Sequence, residues 1–197
     1  MTDKDPFDFD FFSERDFGDE NDHLSASLPS LFPPFPSAWI APQQDEKWDR
    51  RFLELARHIS SWSKDPSTKV GAVIVDIDRI VVGMGYNGFP RGVRDDPDRY
   101  NDRETKYSLV VHAELNAVLA AGIQARGSTI YVYPSFGIPP LCTNCAKAVI
   151  QAGITRVVGY EPAVNSAVAE RWRSEIETAR LMCDEAGLRM TSHAEFA

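Results

Sequence analysis

The chain has 197 residues, 43% of them hydrophobic, and a net charge of −8 from 29 acidic and 21 basic side chains. This length predicts one principal domain with a continuous core, no apolar run approaches the ~20 residues that span a bilayer, and the acidic balance argues against stable nucleic-acid binding. The three cysteines cannot form a disulfide framework and the acidic start predicts no secretory signal, so a reducing, cytoplasmic setting is expected.

The first 44 residues differ in composition from the rest of the chain. Residues 1–24 contain nine acidic and two basic side chains, whereas the remaining 173 residues contain 20 and 19. Acidic sequence followed by a proline-rich stretch buries too little apolar surface to fold alone. We therefore predict a mobile extension over residues 1–44 and a folded domain over residues 45–197. The alternative is that some of the seven Phe side chains of the extension dock on the domain or on a partner.

Hydrophobic periodicity and turn residues predict the elements of this domain. In chain order they are a helix that starts at Asp45 and stops at Asp65-Pro66, strands at 70–75 and 79–85, a loop at 86–107, a helix at Ala113–Ala121, a strand at Thr129–Tyr133, a helix at 142–152, a strand at Arg156–Tyr160, a helix at 166–186 and a short strand at 188–191. The first two strands are expected to form a hairpin. A hairpin followed by alternating strands and helices predicts an α/β fold with a mixed sheet of about five strands and helices on both faces, in three layers.

Two of the predicted helices begin with residues that can bind a metal or move a proton. His112 and Glu114 begin one of them, and Cys142 and Cys145 begin the next. Zinc binds neutral imidazole and thiolate, and catalytic sites use three protein ligands and keep the fourth position open. Cysteines at i and i+3 are neighbours on one helical turn, so both sulfurs can reach one ion. We therefore predict a catalytic Zn²⁺ held by His112, Cys142 and Cys145, with Glu114 moving protons beside it.

The alternative interpretation is a structural zinc site, which would need a fourth protein ligand. The remaining candidates lack motif spacing, and they are Cys183, His23, His58 and His193. Cys183 lies inside the last amphipathic helix and is predicted to be a small core residue. The pattern therefore favours a catalytic site.

Two motifs match the H-x-E and C-x-x-C signature of zinc-dependent nucleobase deaminases, and they are His112-Ala113-Glu114 and Cys142-Thr143-Asn144-Cys145. Five segments carry a closer resemblance to a known family: Asp65-Pro66-Ser67-Thr68-Lys69-Val70-Gly71-Ala72-Val73-Ile74-Val75, Gly85-Tyr86-Asn87-Gly88-Phe89-Pro90-Arg91-Gly92, Lys106-Tyr107, His112-Ala113-Glu114-Leu115-Asn116-Ala117 and Cys145-Ala146-Lys147-Ala148-Val149-Ile150-Gln151-Ala152-Gly153-Ile154. Together the five resemble the deoxycytidylate (dCMP) deaminase family of the cytidine deaminase superfamily. The similarity extends over about residues 46–190 in the expected order.

The resemblance implies a cytidine-deaminase-like fold and the hydrolytic conversion of dCMP to dUMP and ammonia in pyrimidine deoxynucleotide metabolism. It implies that Glu114 protonates N3 of the base and later delivers a proton to the departing amine. It also implies a homo-oligomer, either a dimer or a hexamer. In many members the Gly85-Tyr86-Asn87-Gly88 segment forms part of a regulatory site for dCTP or dTTP.

Four residues are assigned to substrate binding. By resemblance these include Ala113, next to the zinc-binding His, and Asn87, which would meet the sugar; a turn residue in Asn-Gly is the alternative role of Asn87. A monophosphate also needs a cationic or N–H-rich pocket, for which we assign Lys69 and Arg91. Arg94 and Lys106 are further candidates, and the alternative for each of these cations is a solvated loop charge.

The sequence departs from the family pattern just before Cys142. Leu141 stands in place of the family's proline, and the stretch 134–141 is several residues longer than the usual link. Because this link forms a wall of the base pocket in the superfamily, the departure concerns the substrate more than the metal. The alternative functions are a deaminase of another cytosine nucleotide, a nucleoside or a modified base, and a catalytically silent nucleotide-binding regulator.

Overall fold

We describe a computed structural model of the chain over residues 46–161 and 167–195, with side chains from residue 172 onward in the second range. The helices in these ranges are α1 (Glu46–Ser60), α2 (Pro97–Asn101), α3 (Arg103–Leu109), α4 (Ala113–Ala121), α5 (Thr143–Gln151) and α6 (Ala167–Glu185). The strands are β1 (Gly71–Val75), β2 (Val81–Tyr86), β3 (Thr129–Tyr133), β4 (Arg156–Tyr160) and β5 (Arg189–His193). The predicted extension over residues 1–44 lies outside the described residues.

The strands of the described residues form one mixed sheet in the order β2-β1-β3-β4-β5. β1 pairs antiparallel with both β2 and β3, while β3, β4 and β5 run parallel. The parallel strands are joined through α5 and α6, as parallel pairing requires. β1 is buried along its whole length, which fits its continuous apolar sequence.

Helices cover both faces of this sheet. On one face, α1 packs with an apolar stripe made by Phe52, Leu53, Ala56 and Ile59. On the other face, α4, α5 and α6 share a second cluster with β1, which includes Ala113, Ala117, Cys145, Val149, Ala179 and Cys183. The predicted three-layer fold is therefore confirmed, and Cys183 is a fully buried core residue as expected.

A pair of glycines on β2 lets α4 lie unusually close to the sheet. A Cβ atom added at Gly83 would lie 2.6 Å from the carbonyl oxygen of Ala117, and one added at Gly85 would lie 2.5 Å from the amide nitrogen of Ala117. Real Cβ atoms do not approach backbone this closely, so a side chain at either position would displace the helix. The start of α4, which carries the predicted site residues, depends on this contact.

The prediction of one loop over residues 86–107 is wrong in its second half, where α2 and α3 lie. Each helix follows an aspartate whose side chain accepts a hydrogen bond from the backbone two residues later, and these caps are Asp96 and Asp102. Pro97 occupies the first turn of α2, a position that suits proline. Helices of five and seven residues have too few turns to show a hydrophobic period, so their caps carry the signal.

None of the helices in the described ranges combines the length and the hydropathy that crossing a bilayer requires.

Candidate active site

The predicted metal ligands lie at the starts of two neighbouring helices. His112 is the N-cap residue of α4 and Cys142 is the N-cap residue of α5, both with extended backbone, and Cys145 lies in the first turn of α5. In the described part of the chain, neither His112 nor Cys142 makes the side-chain capping hydrogen bond that commonly closes a helix start. The imidazole and the thiol are thus available to a ligand, and the free N–H groups of both helix starts favour negative charge on the sulfurs.

The three donor atoms form one compact group. Nδ1 of His112 lies 3.3 Å from Sγ of Cys142 and 3.4 Å from Sγ of Cys145. A tetrahedral zinc with ordinary Zn–N and Zn–S bonds separates its N and S ligands by about 3.6 Å. One imidazole and two thiols at this spacing therefore fit Zn²⁺, and they leave one coordination position for a non-protein ligand.

No fourth protein ligand belongs to the group within residues 46–161 and 172–195, and the candidate His23 lies outside the described residues. Among the described residues, one set of three or more His, Cys, Asp or Glu side chains has all of its donor atoms within 4.8 Å of one another. That set consists of His112, Cys142 and Cys145. Cys183 is buried in the core, and Nε2 of His193 contacts Asp49 at 2.8 Å instead. The geometry favours a three-ligand site over a four-ligand structural one.

The charges of the group already suit a cation. Hydrogen bonding between the sulfurs, together with the contact to His112, lowers the pKa of Cys142 to about 4. The contact with Cys142 raises the pKa of His112 to about 9, although burial of the ring opposes this. The same sulfur contact and burial raise the pKa of Cys145. The contacts among His112, Cys142 and Cys145 therefore stabilise a positive charge beside the sulfurs. A metal ion can supply that charge when it displaces the protons of these three side chains.

Glu114 lies beside this group as a buried carboxyl group. It follows His112 by two residues in the first turn of α4, and only 5% of the residue is exposed. Burial raises the pKa of Glu114, while the charge of His112 opposes that shift. A carboxyl group whose pKa is moved toward neutrality can both accept and donate a proton during a reaction.

A cavity of about 130 Å³ opens over these residues. Its lining includes the residues around the donor group, His112, Ala113, Glu114 and Cys142, and a second set joined by hydrogen bonds and named the polar end, Asp65, Thr68, Asn87 and Lys106. The remaining lining is mostly apolar and includes Val110, Val132, Phe136, Leu141, Trp172 and Ile176. An apolar pocket with a few converging polar groups is typical of a small-molecule site.

The polar end is organised around Asp65. Its carboxylate accepts hydrogen bonds from the backbone of Ser67 at 2.8 Å and from Nζ of Lys106 at 2.9 Å. The amide of Asn87 donates to the carbonyl of Thr68 at 2.9 Å and accepts from the N–H of Val70 at 2.8 Å. Burial alone would raise the pKa of Asp65, but Lys106 and the backbone donors outweigh it and lower that pKa. This end is consequently a rigid, charged wall.

The residues assigned to substrate binding fall into two groups. Ala113 and Asn87 line the cavity, and so does the further candidate Lys106. Lys69 and Arg91 are exposed and lie outside the set of described residues that line it; Nζ of Lys69 donates to the carbonyl of Ser63 at 2.7 Å. The side chain of Asn87 also holds the backbone that precedes β1, and the alternative role as a turn residue in Asn-Gly stays a prediction.

Sequence reasoning missed the wall that α6 contributes. Trp172 and Ile176 line the cavity together with Phe136 of the long 134–141 stretch. The rings of Trp172 and Tyr107 meet edge-on at 6.4 Å between centroids. No motif near Trp172 and Ile176 marks them as pocket residues, because they lie on an amphipathic helix some thirty residues beyond the cysteines. Their spacing of i and i+4, which places both side chains on one face of that helix, was the available signal.

Comparison with protein families identifies the region that carries this site. Residues 46–161 match the model of the cytidine and deoxycytidylate deaminase zinc-binding region. The chain belongs to this deaminase family. The match includes all three predicted ligands and Glu114, and it confirms the resemblance, the zinc cofactor and a zinc-dependent deaminase activity for the chain.

Relatives of this deaminase extend the similarity beyond the motif. It is 42% identical over 147 residues to a protein from Aliivibrio fischeri named uncharacterized deaminase in luxG 3′ region, a match that covers 74% of this chain and 92% of that protein. It is 37% identical over 150 residues to the deoxycytidylate deaminase of Homo sapiens, covering 72% of this chain and 77% of that protein.

A solved structure also shares the fold of this deaminase. The dCMP deaminase of the cyanophage S-TIM5, solved in complex with dCMP and dUMP, superimposes with a TM-score of 0.56. The match covers 78% of this chain and all of that one at 20% identity. The cytidine-deaminase-like fold expected from the sequence is thereby confirmed.

Proposed function

We propose that this protein converts dCMP to dUMP and ammonia. In this proposal His112, Cys142 and Cys145 hold the zinc ion and Glu114 moves the protons. The observation that carries it is the buried Glu114 carboxyl group in the same cavity as a donor set of one imidazole and two thiols. Relatives named deoxycytidylate deaminase at 37% and 42% identity support the choice of substrate.

The reaction exchanges the C4 amino group of cytosine for an oxygen atom from water. When bound, zinc supplies a Lewis acid that makes water a usable nucleophile at neutral pH. Glu114 takes one proton from that water and gives it to N3 of the ring as the C–O bond forms at C4. Glu114 then transfers the second proton to the amino nitrogen, the C4–N bond breaks, and ammonia leaves. The raised pKa of Glu114 suits both steps.

The rest of the cavity supports a nucleotide bound in one orientation. With the base at His112 and Ala113, the polar end at Asn87 and Lys106 is available to the sugar and phosphate. Among the described residues, Lys106 is the lysine or arginine side chain that lines the cavity. Because Lys106 already pairs with Asp65, it would share its charge between that carboxylate and a phosphate, and its position alone places it ahead of Lys69 and Arg91. Those two residues remain predictions for phosphate binding.

A second candidate function is deamination of a different cytosine compound. The wall formed by Phe136, Gly137 and Pro139 comes from the stretch in which this chain departs from the family pattern. A reshaped wall changes which substituents the pocket tolerates, because one methylene or methyl group in a pocket alters rates by roughly 10- to 200-fold. A modified base or another cytosine nucleotide is the alternative.

An ammonia-release assay with a panel of substrates separates these possibilities. The panel contains dCMP, CMP, dCTP, deoxycytidine, 5-methyl-dCMP and adenosine, each tested with the zinc-loaded full chain. We expect dCMP to give the highest kcat/KM. A higher value for another cytosine compound would select the alternative, and no release from any of the six would favour the silent regulator.

Assembly, regulation and location complete the proposal. A homo-oligomer, a dimer or hexamer, is supported by exposed apolar side chains, which are Met84 and Tyr86 on β2, Leu119 on α4 and Ile123 in the turn after α4. Control by dCTP or dTTP follows from the Gly85-Tyr86-Asn87-Gly88 segment. A cytoplasmic location is supported by ligand thiols that must stay reduced to bind zinc. Light scattering, and kinetics with added dTTP, test the first two points.

A further inference from the structure

We propose that Trp172 is a substrate contact, and that its indole ring lies against the planar pyrimidine ring in the bound state. This inference rests on the proposed function, since it names a residue that recognises the substrate of the same site. It assigns part of the substrate specificity to α6, which begins after the region that matches the family model ends at residue 161.

Trp172 belongs to the cavity that contains the chemical groups. The cavity lined by His112 and Glu114 is also lined by Trp172, Ile176 and Phe136. Trp172 is only partly buried, so part of its indole ring is not covered by core side chains and is available to a ligand. A large, flat, partly open aromatic face beside a reaction site suits a flat aromatic ligand, and every nucleobase offers such a face.

Contacts on both sides hold α6 in this position. Toward the long 134–141 stretch, both Nε and a terminal nitrogen of Arg180 donate to the carbonyl of Ile138, at 2.9 and 2.7 Å. Toward the metal-binding helix, the backbone N–H of Thr143 donates to the carboxylate of Glu175 at 3.3 Å. α6 is therefore linked to the residue that follows Cys142.

Close packing also holds α6 against the 134–141 stretch. A Cβ atom added at Gly137 would lie 2.5 Å from Cδ1 of Ile176, so this loop residue and α6 are in direct contact. The rings of Tyr107 and Trp172, which both line the cavity, meet edge-on, and the guanidinium of Arg103 lies 5.3 Å from the Tyr107 ring. Trp172 is thus held in place by its neighbours, as a specificity residue needs to be.

Two variants and one control test the contact by kinetics. Trp172→Ala removes the ring, Trp172→Phe keeps a smaller one, and Leu181→Ala shortens an exposed apolar side chain of α6 that lies away from the cavity. Loss of a base–aromatic contact weakens binding by roughly five- to 150-fold. We expect Trp172→Ala to raise KM for the best panel substrate by about tenfold or more with little change in kcat. Trp172→Phe should retain most of the affinity, and Leu181→Ala should match the wild type.

A binding measurement distinguishes a ring contact from a general packing effect. Tryptophan fluorescence of the zinc-loaded wild type should change on titration with dUMP, and the Trp172→Phe variant should lack that change. Deoxyribose 5-phosphate, which has no base, should bind wild type and Trp172→Ala with similar affinity. Equal weakening of both ligands in Trp172→Ala, or a KM within about twofold of wild type, would overturn the inference. Loss of zinc together with kcat would also overturn it by showing a structural role.

Failure of the proposed function gives a different result. If the wild type releases ammonia from none of the panel compounds, the activity is wrong, yet a dUMP-induced fluorescence change that depends on Trp172 would still support the contact. If the wild type is an efficient dCMP deaminase and Trp172→Ala behaves like Leu181→Ala, the inference about Trp172 alone is wrong.

Discussion

Glu114 is assigned both proton transfers of the proposed reaction. Because its proposed task is proton transfer and not metal binding, Glu114→Gln should retain one zinc per chain and the wild-type fold. General acid–base catalysis contributes about 10²- to 10⁴-fold, so kcat should fall at least a hundredfold, as measured by ammonia release. Glu177→Gln, at an exposed position of α6, is the matched control and should be fully active. A Glu114→Gln enzyme with a tenth of wild-type turnover would refute the assignment.

The three donor residues make a separate prediction about metal content. Elemental analysis of the purified chain should give one zinc per chain, and Cys145→Ala should reduce it strongly because two ligands bind Zn²⁺ far more weakly than three. Cys183→Ala removes a thiol from the core away from the donor group, and it should keep the zinc. Two tightly bound zinc ions per chain, or loss of the metal only in Cys183→Ala, would contradict the assignment.

The donor residues were predictable from sequence because their pattern is local. His112 and Glu114 are two residues apart, and Cys142 and Cys145 share one helical turn, so spacing alone brings each pair together. Trp172 gave no such signal, because its position in the cavity depends on how α6 crosses the sheet. Lys106 was recognised as a cation, but its pairing with Asp65 joins residues 41 positions apart.

At the scale of elements, the contact between β2 and α4 sets the position of the site. Gly85→Ala would place a methyl group 2.5 Å from the amide nitrogen of Ala117. Overpacking of this kind costs about 1–3 kcal/mol, and it should also reduce kcat because α4 begins at His112. Thermal unfolding and ammonia release measure the two effects. Gly88→Ala is the control, since an added Cβ there meets its nearest atom at 4.0 Å. Equal stability and activity for both variants would contradict the close contact.

A buried ion pair joins α1 to the parallel strands on the face away from the cavity. Arg156 donates to Asp49 from one nitrogen at 2.9 Å, and Tyr131 donates to the same carboxylate at 2.9 Å. Burial alone would raise the pKa of Asp49, but the hydrogen bonds from Arg156 and His193 outweigh it and lower that pKa. Asp49 thus stabilises the fold while it is ionised, and it ties the first helix to β4.

Replacement of Asp49 should therefore change both stability and its pH dependence. A group with a lowered folded pKa contributes its full stability above its unfolded pKa, about 3.9, and loses it as the pH falls through the folded value. At pH 7, Asp49→Asn should cost about 3–5 kcal/mol in urea unfolding, because it leaves Arg156 buried without its partner. Below about pH 4 the gap to the wild type should narrow. Asp184→Asn, at an exposed position, is the control; a constant gap from pH 7 to about pH 3 would refute the ion-pair assignment.

The elements themselves were largely predictable, for reasons that differ along the chain. β1 and β2 are short apolar runs around an Asp-rich turn, and α4 and α5 end at or just before glycines, so their types followed from composition. α2 and α3 were missed because two short helices between Asp caps contain no hydrophobic period. The pairing of β1 with β2 followed from the chain order as a hairpin. The order of the other strands was not predicted, although a hairpin and two helical crossovers allow few arrangements.

At the scale of the whole molecule, the distribution of charge determines how an anionic substrate meets the protein. Residues 1–24 hold nine acidic and two basic side chains, and the other 173 residues hold 20 and 19. Residues 25–197 are therefore nearly neutral as a whole, and attraction to a phosphate must come from a few local cations such as Lys106. A local cation strongly increases the affinity for a bound phosphate. Beyond the screening length it attracts the phosphate only weakly.

This arrangement predicts a preference for the monophosphate over the nucleoside, together with a specific response to salt. A charge-assisted contact of about 1.5–3 kcal/mol corresponds to roughly ten- to a hundredfold in binding, so dCMP should exceed deoxycytidine at least tenfold in kcat/KM. Raising the salt concentration to about 1 M shortens the screening length to about 3 Å, which should narrow the ratio by lowering the value for dCMP and not that for deoxycytidine.

Deletion of residues 1–40 is the matched control for long-range charge. It removes the acidic segment and leaves the cavity residues, so it should raise kcat/KM for dCMP modestly at low salt, by reduced repulsion, and leave deoxycytidine unchanged. The tenfold preference itself should persist in the shortened chain, because it comes from the pocket. Equal efficiency for dCMP and deoxycytidine at low salt would remove the phosphate contact and select the nucleoside as substrate. A preference that disappears with the deletion would place the discrimination in residues 1–40 instead of at Lys106.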